Sequence, residues 1–320
     1  MCFWSPSKKR TFISSFRGCG KDKIIYYISK WKNEMKIFLA KDAGYCFGVR
    51  DAVNLAYESA EKYGDVYMLG DIVHNENVIK DLNTAGAKVV GSLDEVPDGK
   101  PILFRAHGTP VETWRNANAD DMNVVDATCP LVKEIHDEVI KFANEGRKII
   151  IIGDHGHDEV VGIASQVNEP IIVANIEEAT KLRKMKRAGV VTQSTQTIEN
   201  VQAIINILMT KVYDLNFVNT ICFPTKRNQN QIKELAKQCD VMIVIGSFTS
   251  ANSKRLTQLA QEKNKKSYQV TCADDLEFEW FDGAKTVGLS AGASTPDNII
   301  NEVLKSLKEM NKDSKEMIYG

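Results

Sequence analysis

From Met35 onward the chain alternates between two hydrophobic patterns. Short aliphatic and β-branched runs end in small polar residues, and segments with apolar positions three or four residues apart often follow. The runs include Pro101-Ile-Leu-Phe-Arg-Ala-His-Gly108, Lys148-Ile-Ile-Ile-Ile-Gly-Asp-His-Gly-His157 and Gly189-Val-Val-Thr-Gln-Ser-Thr195. Asp240-Val-Met-Ile-Val-Ile-Gly246 and Lys285-Thr-Val-Gly-Leu-Ser-Ala-Gly-Ala-Ser294 repeat the pattern. Near-continuous apolar runs of this length suit parallel strands covered on both faces. Val49, Val53, Ala56 and Ala60 share one helical face after Cys46, and Ile232, Leu235 and Ala236 share one before Cys239. The alternation predicts an α/β fold with several parallel strands.

Such sheets bind ligands at the carboxyl ends of their strands, where this sequence concentrates His, Ser, Thr, Asn and Gly. The helix N-termini that follow offer free N–H groups and positive partial charge, so an anionic ligand is expected. His74, His107 and His157 each close a strand-like segment. Imidazoles there suit phosphate oxygens or proton relay, and equally an ordinary surface hydrogen bond. Glu159, two residues beyond His157, is the carboxylate expected to act as an acid. His136 falls within a helical pattern and reads as structural, and His155 receives no role. The spacing of His155, His157 and Asp158 is too short for a helical ligand pair and does not favour a mononuclear metal site.

The seven cysteines are spread thinly and contain no CxxC pair, which speaks against a zinc ribbon or a secreted disulfide scaffold. Three share a context. Cys46, Cys129 and Cys222 each follow a strand-like run, sit beside Gly or Pro, and lie 83 and 93 residues apart. That spacing suggests three similar units of about 90 residues, each delivering one thiolate to a shared centre. Three thiolates around a [4Fe–4S] cluster leave one iron open to a substrate oxygen. The same cysteines also suit an iron–sulfur sensor or electron carrier, and a lone free cysteine is more often a small buried hydrophobe. Cys239 and Cys272 fit that last description.

Composition narrows the class further. The net charge of -1 predicts no bulk attraction to nucleic acid or anionic membrane, and no apolar run approaches the roughly 18 residues of a membrane span. Free thiols suit a reducing compartment, so a cytoplasmic protein is expected. Residues 1–34 differ from the rest, with eight Lys or Arg against only Asp22 and Glu34. They read as an extension outside the fold, without the apolar core of a secretory signal. The expected organisation is residues 35–128, 129–221 and 222–310 as three α/β units, with 311–320 as a tail. The basic run Lys181-Leu-Arg-Lys-Met-Lys-Arg187 could dock an acidic electron donor, although a solvated helix face explains it more simply.

An ordered series of motifs resembles the LytB-type 4-hydroxy-3-methylbut-2-enyl diphosphate reductases. It runs through Gly44-Tyr-Cys-Phe-Gly-Val49, Val73-His-Asn75, Ala106-His-Gly108, Asp126-Ala-Thr-Cys-Pro130 and Gly156-His-Asp-Glu-Val160. It continues through Thr192-Gln-Ser-Thr195, Thr220-Ile-Cys222, Ser250-Ala-Asn-Ser253 and Ala291-Gly-Ala-Ser294, covering about residues 35 to 310. The resemblance implies a trefoil of three α/β units around a central [4Fe–4S] cluster held by Cys46, Cys129 and Cys222. It implies an allylic diphosphate substrate contacted by His74, His107, His157, Ser250, Asn252 and Ser294, with Ser194 and Glu159 near its hydroxyl. The implied reaction removes that hydroxyl reductively and gives isopentenyl and dimethylallyl diphosphates, with Glu159 supplying protons. With no GxGxxG fingerprint in the chain, electrons are expected from an external ferredoxin or flavodoxin. Ser194 stands where the family often has Thr, Ala251 where Ser is common, and Asp154 where some members carry His. Thr225 is a weak candidate in the loop after Cys222.

Overall fold

The computed structural model describes the backbone of residues 25–27 and 35–316 and the side chains of 35–310. Strands β1 (Ile25–Tyr27) and β2 (Lys36–Ala40) lead to helix α1 (Phe47–Tyr63). Then come β3 (Val66–Leu69), α2 (Glu76–Thr84), β4 (Ala87–Val90), β5 (Ile102–Phe104), α3 (Val111–Ala119) and β6 (Val124–Asp126). A second stretch holds α4 (Pro130–Asn144), β7 (Lys148–Ile152), α5 (Asp158–Ala164), β8 (Ile171–Val173), α6 (Ile176–Lys181), β9 (Met185–Thr192), α7 (Ile198–Leu208) and β10 (Val212–Phe217). The third holds α8 (Phe223–Gln238), β11 (Val241–Ile245), α9 (Ala251–Lys263), β12 (Ser267–Val270), β13 (Thr286–Ala291) and α10 (Asp297–Glu316).

These strands form three sheets with the orders β4-β3-β5-β6, β10-β9-β7-β8 and β1-β2-β13-β11-β12. Every pairing is parallel except β1 with β2. The fold is therefore α/β with parallel strands, as the hydrophobic pattern predicts, and a trefoil of three sheets, as the resemblance implies.

The apolar runs are continuous because both faces of the central strands are covered. In β7, Ile149 and Ile151 pack under Phe142 of α4 and Val160 and Ile163 of α5. Ile150 and Ile152 pack on the opposite face against Val201, Ile204 and Leu208 of α7. Each fully buried aliphatic side chain contributes about 1.5–3 kcal/mol relative to exposure. Gly189 of β9 lets α4 close on the sheet, since a Cβ there would run into the Phe142 ring. In the third sheet β11 is sandwiched likewise, with Ile243 facing Val303 and Leu307 of α10, and Val244 facing Ile232 of α8 and Leu256 of α9.

The cysteines mark the places where the chain passes from one sheet to the next. The edge strand β6 of the first sheet leads to Cys129 and to α4, which packs on β7 and β9 of the second. The edge strand β10 of the second leads to Cys222 and to α8, which packs on β2, β11 and β13 of the third. Strand β2 closes the circle. It pairs with β13, and Cys46 then leads to α1, which packs on β3 and β4.

This closure corrects the expected organisation at both ends. Lys36–Ala40 belongs to the third sheet rather than to a first unit beginning at residue 35, because β13 offers the open edge it pairs with. Ile25–Tyr27 pairs with β2, so part of the expected extension joins the sheet. Residues 1–24 and 28–34 lie outside the described residues. The expected tail begins inside α10, which continues to Glu316. No helix among the described residues is long and apolar enough to cross a membrane.

Candidate active site

Cys46, Cys129 and Cys222 are the N-cap residues of α1, α4 and α8, three helices of 15 to 17 residues. Each is held by one backbone bond to a neighbouring loop. Cys46 N donates to Ala293 O (3.3 Å), Cys129 N to Ala106 O (3.0 Å) and Cys222 N to Ser194 O (3.1 Å). All three line one central cavity. Gly48, at the second position of α1, leaves the room that Cys129 occupies, because a Cβ there would run into Cys129 Sγ.

Burial raises the pKa of all three thiols, that of Cys222 to about 11. Helix N–H groups oppose the shift at each, and the Cys46 charge adds to it at Cys129 and Cys222. Three thiolates so close together need a compensating cation. A soft, three-thiolate donor set of this kind fits an iron–sulfur cluster, with the metal's charge replacing the protons.

The same cavity is lined by all eight of the other residues singled out from the sequence: His74, His107, His157, Glu159, Ser194, Ser250, Asn252 and Ser294. The three histidines form a cluster. His74 and His107 stack with ring centroids 4.3 Å apart, and His157 meets them edge-on at 5.4 and 5.8 Å. Burial holds all three below the usual imidazole range, His157 down to about 4 and His107 well below 6.5. His157 caps α5, its Nδ1 accepting from Glu159 N at 3.1 Å. That bond fixes the tautomer, so the neutral ring carries its proton on Nε2.

Glu159 is 2% exposed. Burial raises its pKa, while bonds from Ser194 N and from Ser194 Oγ (2.7 Å) pull the other way. Its charge is felt at Cys129 and Cys222, so the carboxyl sits between the thiols and the Ser194 hydroxyl. Such a group holds a proton at higher pH than a surface glutamate, and it lines the cavity that the three cysteines share.

Ser250 caps α9, its Oγ accepting from Ser253 N (3.3 Å), which leaves the hydroxyl proton for a ligand. Ser294 Oγ donates to His74 O (3.2 Å) and ties the third unit to the first. Both side-chain polar atoms of Asn252 and Nδ1 of His107 are buried without a partner. Orphaned groups of this kind cost roughly 1–3 kcal/mol each unless something binds them.

The sequence reading missed several supporting residues. Arg105 binds Asp158 at 2.7 Å, and Asp158 approaches His74 at 3.8 Å. His74, His107 and Asp158 offer ligand atoms within 4.8 Å of one another, but Arg105 already balances the carboxylate. Arg255 of α9 grips Asp154 (2.6 Å) and donates to Thr195 Oγ1 (3.0 Å), joining the second and third units. Arg105 was legible as the residue two before His107; Arg255 gave no signal, because its partners lie 60 and 101 residues away. Thr225, a weak candidate, bonds Cys222 Sγ at 3.0 Å. His155 pairs with Glu178 at the surface, and His136 packs beneath Gly108, so neither reaches the cavity. Cys239 is a buried core thiol.

The family model described as LytB protein matches residues 37–308. The 4-hydroxy-3-methylbut-2-enyl diphosphate reductase of Geotalea uraniireducens is 40% identical over 280 residues, covering 87% of this chain and 99% of the relative. That of Geobacter sulfurreducens is 39% identical, covering 88% and 100%. Among solved structures, an (E)-4-hydroxy-3-methyl-but-2-enyl diphosphate reductase, the terminal enzyme of the non-mevalonate pathway, matches with TM-score 0.65 and 37% identity over 85% of this chain and 99% of that one. The E-1-hydroxy-2-methyl-but-2-enyl-4-diphosphate reductase from Plasmodium falciparum matches with TM-score 0.82 and 29% identity over 86% and 88%.

Proposed function

The chain belongs to the LytB family, and on that footing we propose that it removes the hydroxyl group of (E)-4-hydroxy-3-methylbut-2-enyl diphosphate, giving isopentenyl and dimethylallyl diphosphates. The allylic C–O bond breaks as two electrons and two protons enter; the oxygen leaves as water and one new C–H bond forms. Cys46, Cys129 and Cys222 would hold a [4Fe–4S] cluster. When bound, that cluster would relay electrons and present an iron without a protein thiolate as a Lewis acid.

The chain's own residues bind, orient and protonate. The observation that carries this reading is the pair of buried, unpartnered groups, His107 Nδ1 and the Asn252 amide, in the cavity where the three cysteines meet. Diphosphate oxygens would accept from Asn252 Nδ2, from the Ser250 hydroxyl and from the Nε2–H of His157, and from the Ser294 hydroxyl once it turns away from His74 O. The N-terminus of α9 adds positive partial charge, with no acid in its first turn to compete. Bound diphosphate would also draw protons onto the imidazoles, which are neutral without it.

Glu159, whose burial favours the protonated form, would pass a proton toward the leaving hydroxyl, with Ser194 holding the carboxyl in place. An external ferredoxin or flavodoxin would supply the electrons, and the free thiols suit the cytoplasm.

Anaerobic turnover of the allylic diphosphate with reduced viologen tests this. The cluster-loaded wild type should lose water from the substrate, and Glu159→Gln should slow by about 100-fold or more with its visible absorbance intact. A brown, fully loaded wild type that never turns over would sink the reading.

A further inference from the structure

The three cysteine-capped helices share a feature that the substrate chemistry does not use. Each carries a basic residue four positions beyond its cysteine: Arg50 in α1, Lys133 in α4 and Lys226 in α8. Residues four apart lie on the same helical face, and long side chains lean back toward the N-terminus, so each base reaches toward the rim of its own cysteine. None of the three helices has an acidic residue in its first turn. Helix dipoles favour the opposite arrangement, with acids at the N-terminus and bases at the C-terminus. Departures at equivalent positions of three units call for a compensating negative charge, which, among the described residues, the chain itself supplies at only one of them. Lys133 pairs with Asp126, while Arg50 and Lys226 have no ion pair among the described residues. The following residues, Asp51, Glu134 and Arg227, point about 100° further around their helices, and Arg227 is paired with Asp42.

Apolar surface lies among these bases. Phe47 and Phe223, the residues directly after Cys46 and Cys222, stack with centroids 5.5 Å apart and rings within 10° of parallel. They remain 37% and 52% exposed. Large aromatic faces left in water at two equivalent positions, each followed three residues later on its helix by an unpaired base, have the make-up of a docking surface.

We propose that this face, centred on Phe47 and Phe223 and flanked by Arg50 and Lys226, receives a small acidic one-electron carrier protein. The inference rests on the reductase reading, because that reaction needs two electrons delivered singly, two carriers being oxidised for each water released. The charge of these two bases selects an acidic partner, and the stacked rings bring it against the backbone of Cys46 and Cys222, whose side chains line the central cavity. The basic run at 181–187 is not that surface. It spans the end of α6 and the start of β9, at the opposite end of the strand from Ser194.

The test pairs two donors, reduced plant-type ferredoxin as the acidic carrier and reduced methyl viologen as the small one, on cluster-loaded protein. The variants are Arg50→Glu, Lys226→Glu, the double variant and Lys184→Glu as a control on the other basic run. Ferredoxin-driven kcat/KM should fall about 5- to 10-fold for each reversal at low salt, and raising the salt should shrink the difference. Viologen-driven turnover should stay within about twofold, and calorimetric binding of oxidised ferredoxin should weaken in step with kcat/KM. Lys184→Glu should match wild type. Unchanged ferredoxin kinetics and binding in the double variant would overturn the inference, as would an equal loss with both donors, which would assign the bases to the charge balance of the thiolate centre. Wild type that turns over with neither donor would defeat the reductase reading itself.

Discussion

At the scale of single residues, the cavity works by leaving selected groups unsatisfied. Asn252 and His107 have buried, unpaired polar atoms, Glu159 is buried with its carboxyl pKa raised, and three half-buried histidines are held below the usual imidazole range. The histidines make stability depend on pH in a definite direction. Their folded-state pKa values lie below 6.5, so as pH falls the unfolded chain takes up protons first. Stability is complete above pH 6.5, declines as pH drops through that value and, for His157, levels off below about 4. His157 alone contributes at most about 3 kcal/mol to this loss. Thermal melts of the cluster-free protein between pH 7 and 4 should show it. His157→Asn, which keeps an N-cap side chain for α5, should flatten the decline. At Gly48 the constraint is steric. Gly48→Ala should lower iron bound per chain while far-UV circular dichroism stays native, because the added methyl displaces Cys129 Sγ and leaves the core packing alone.

At the scale of elements, helix N-termini do most of the positioning. Cysteines cap α1, α4 and α8; His157 caps α5 and Ser250 caps α9. Strands supply the rigid base, and the residues just past their carboxyl ends become caps of the helices that follow. Asn75, directly after His74, shows how much one cap does. Its Oδ1 accepts from Asn77 N (3.1 Å) and Val78 N (3.2 Å), and the residue is buried. Asn75→Ala should cost about 1 kcal/mol, a drop of about 2–4 °C in Tm. It should also raise KM for the diphosphate, since the His74 loop loses its anchor. A melt together with steady-state kinetics checks both.

At the scale of the whole molecule, the site exists only where three sheets meet, and the ties between units hold its parts in register. Arg255 is one of these, with its side chain 11% exposed and its guanidinium gripping Asp154 and Thr195 across the second and third units. Arg255→Ala should raise KM severalfold with the iron content unchanged, because Ser250 and Asn252 on α9 lose their fixed relation to the His157 loop; titration of substrate against iron-loaded variant measures it. Most of the site could be read from the chain itself. The cysteine contexts, the His motifs and Glu159 are local signals, each set where a strand run stops and a helix begins, and local geometry is dictated by neighbouring residues. What Lys36–Ala40 pairs with could not be read that way. Its hydrophobic pattern suits any parallel sheet, and its assignment to the third depended on the free edge of β13, some 250 residues later. Arg255 was opaque for the same reason, as was Gly48, whose purpose is to make room for a cysteine 81 positions away. The sequence by itself determined which residues are candidates for the chemistry and which element presents each one, because period, cap and turn are short-range. Only the tertiary structure decided how close they come, which groups are left buried and unpaired, and which way their pKa values move, because burial and charge coupling depend on atoms that the chain brings together from all three units.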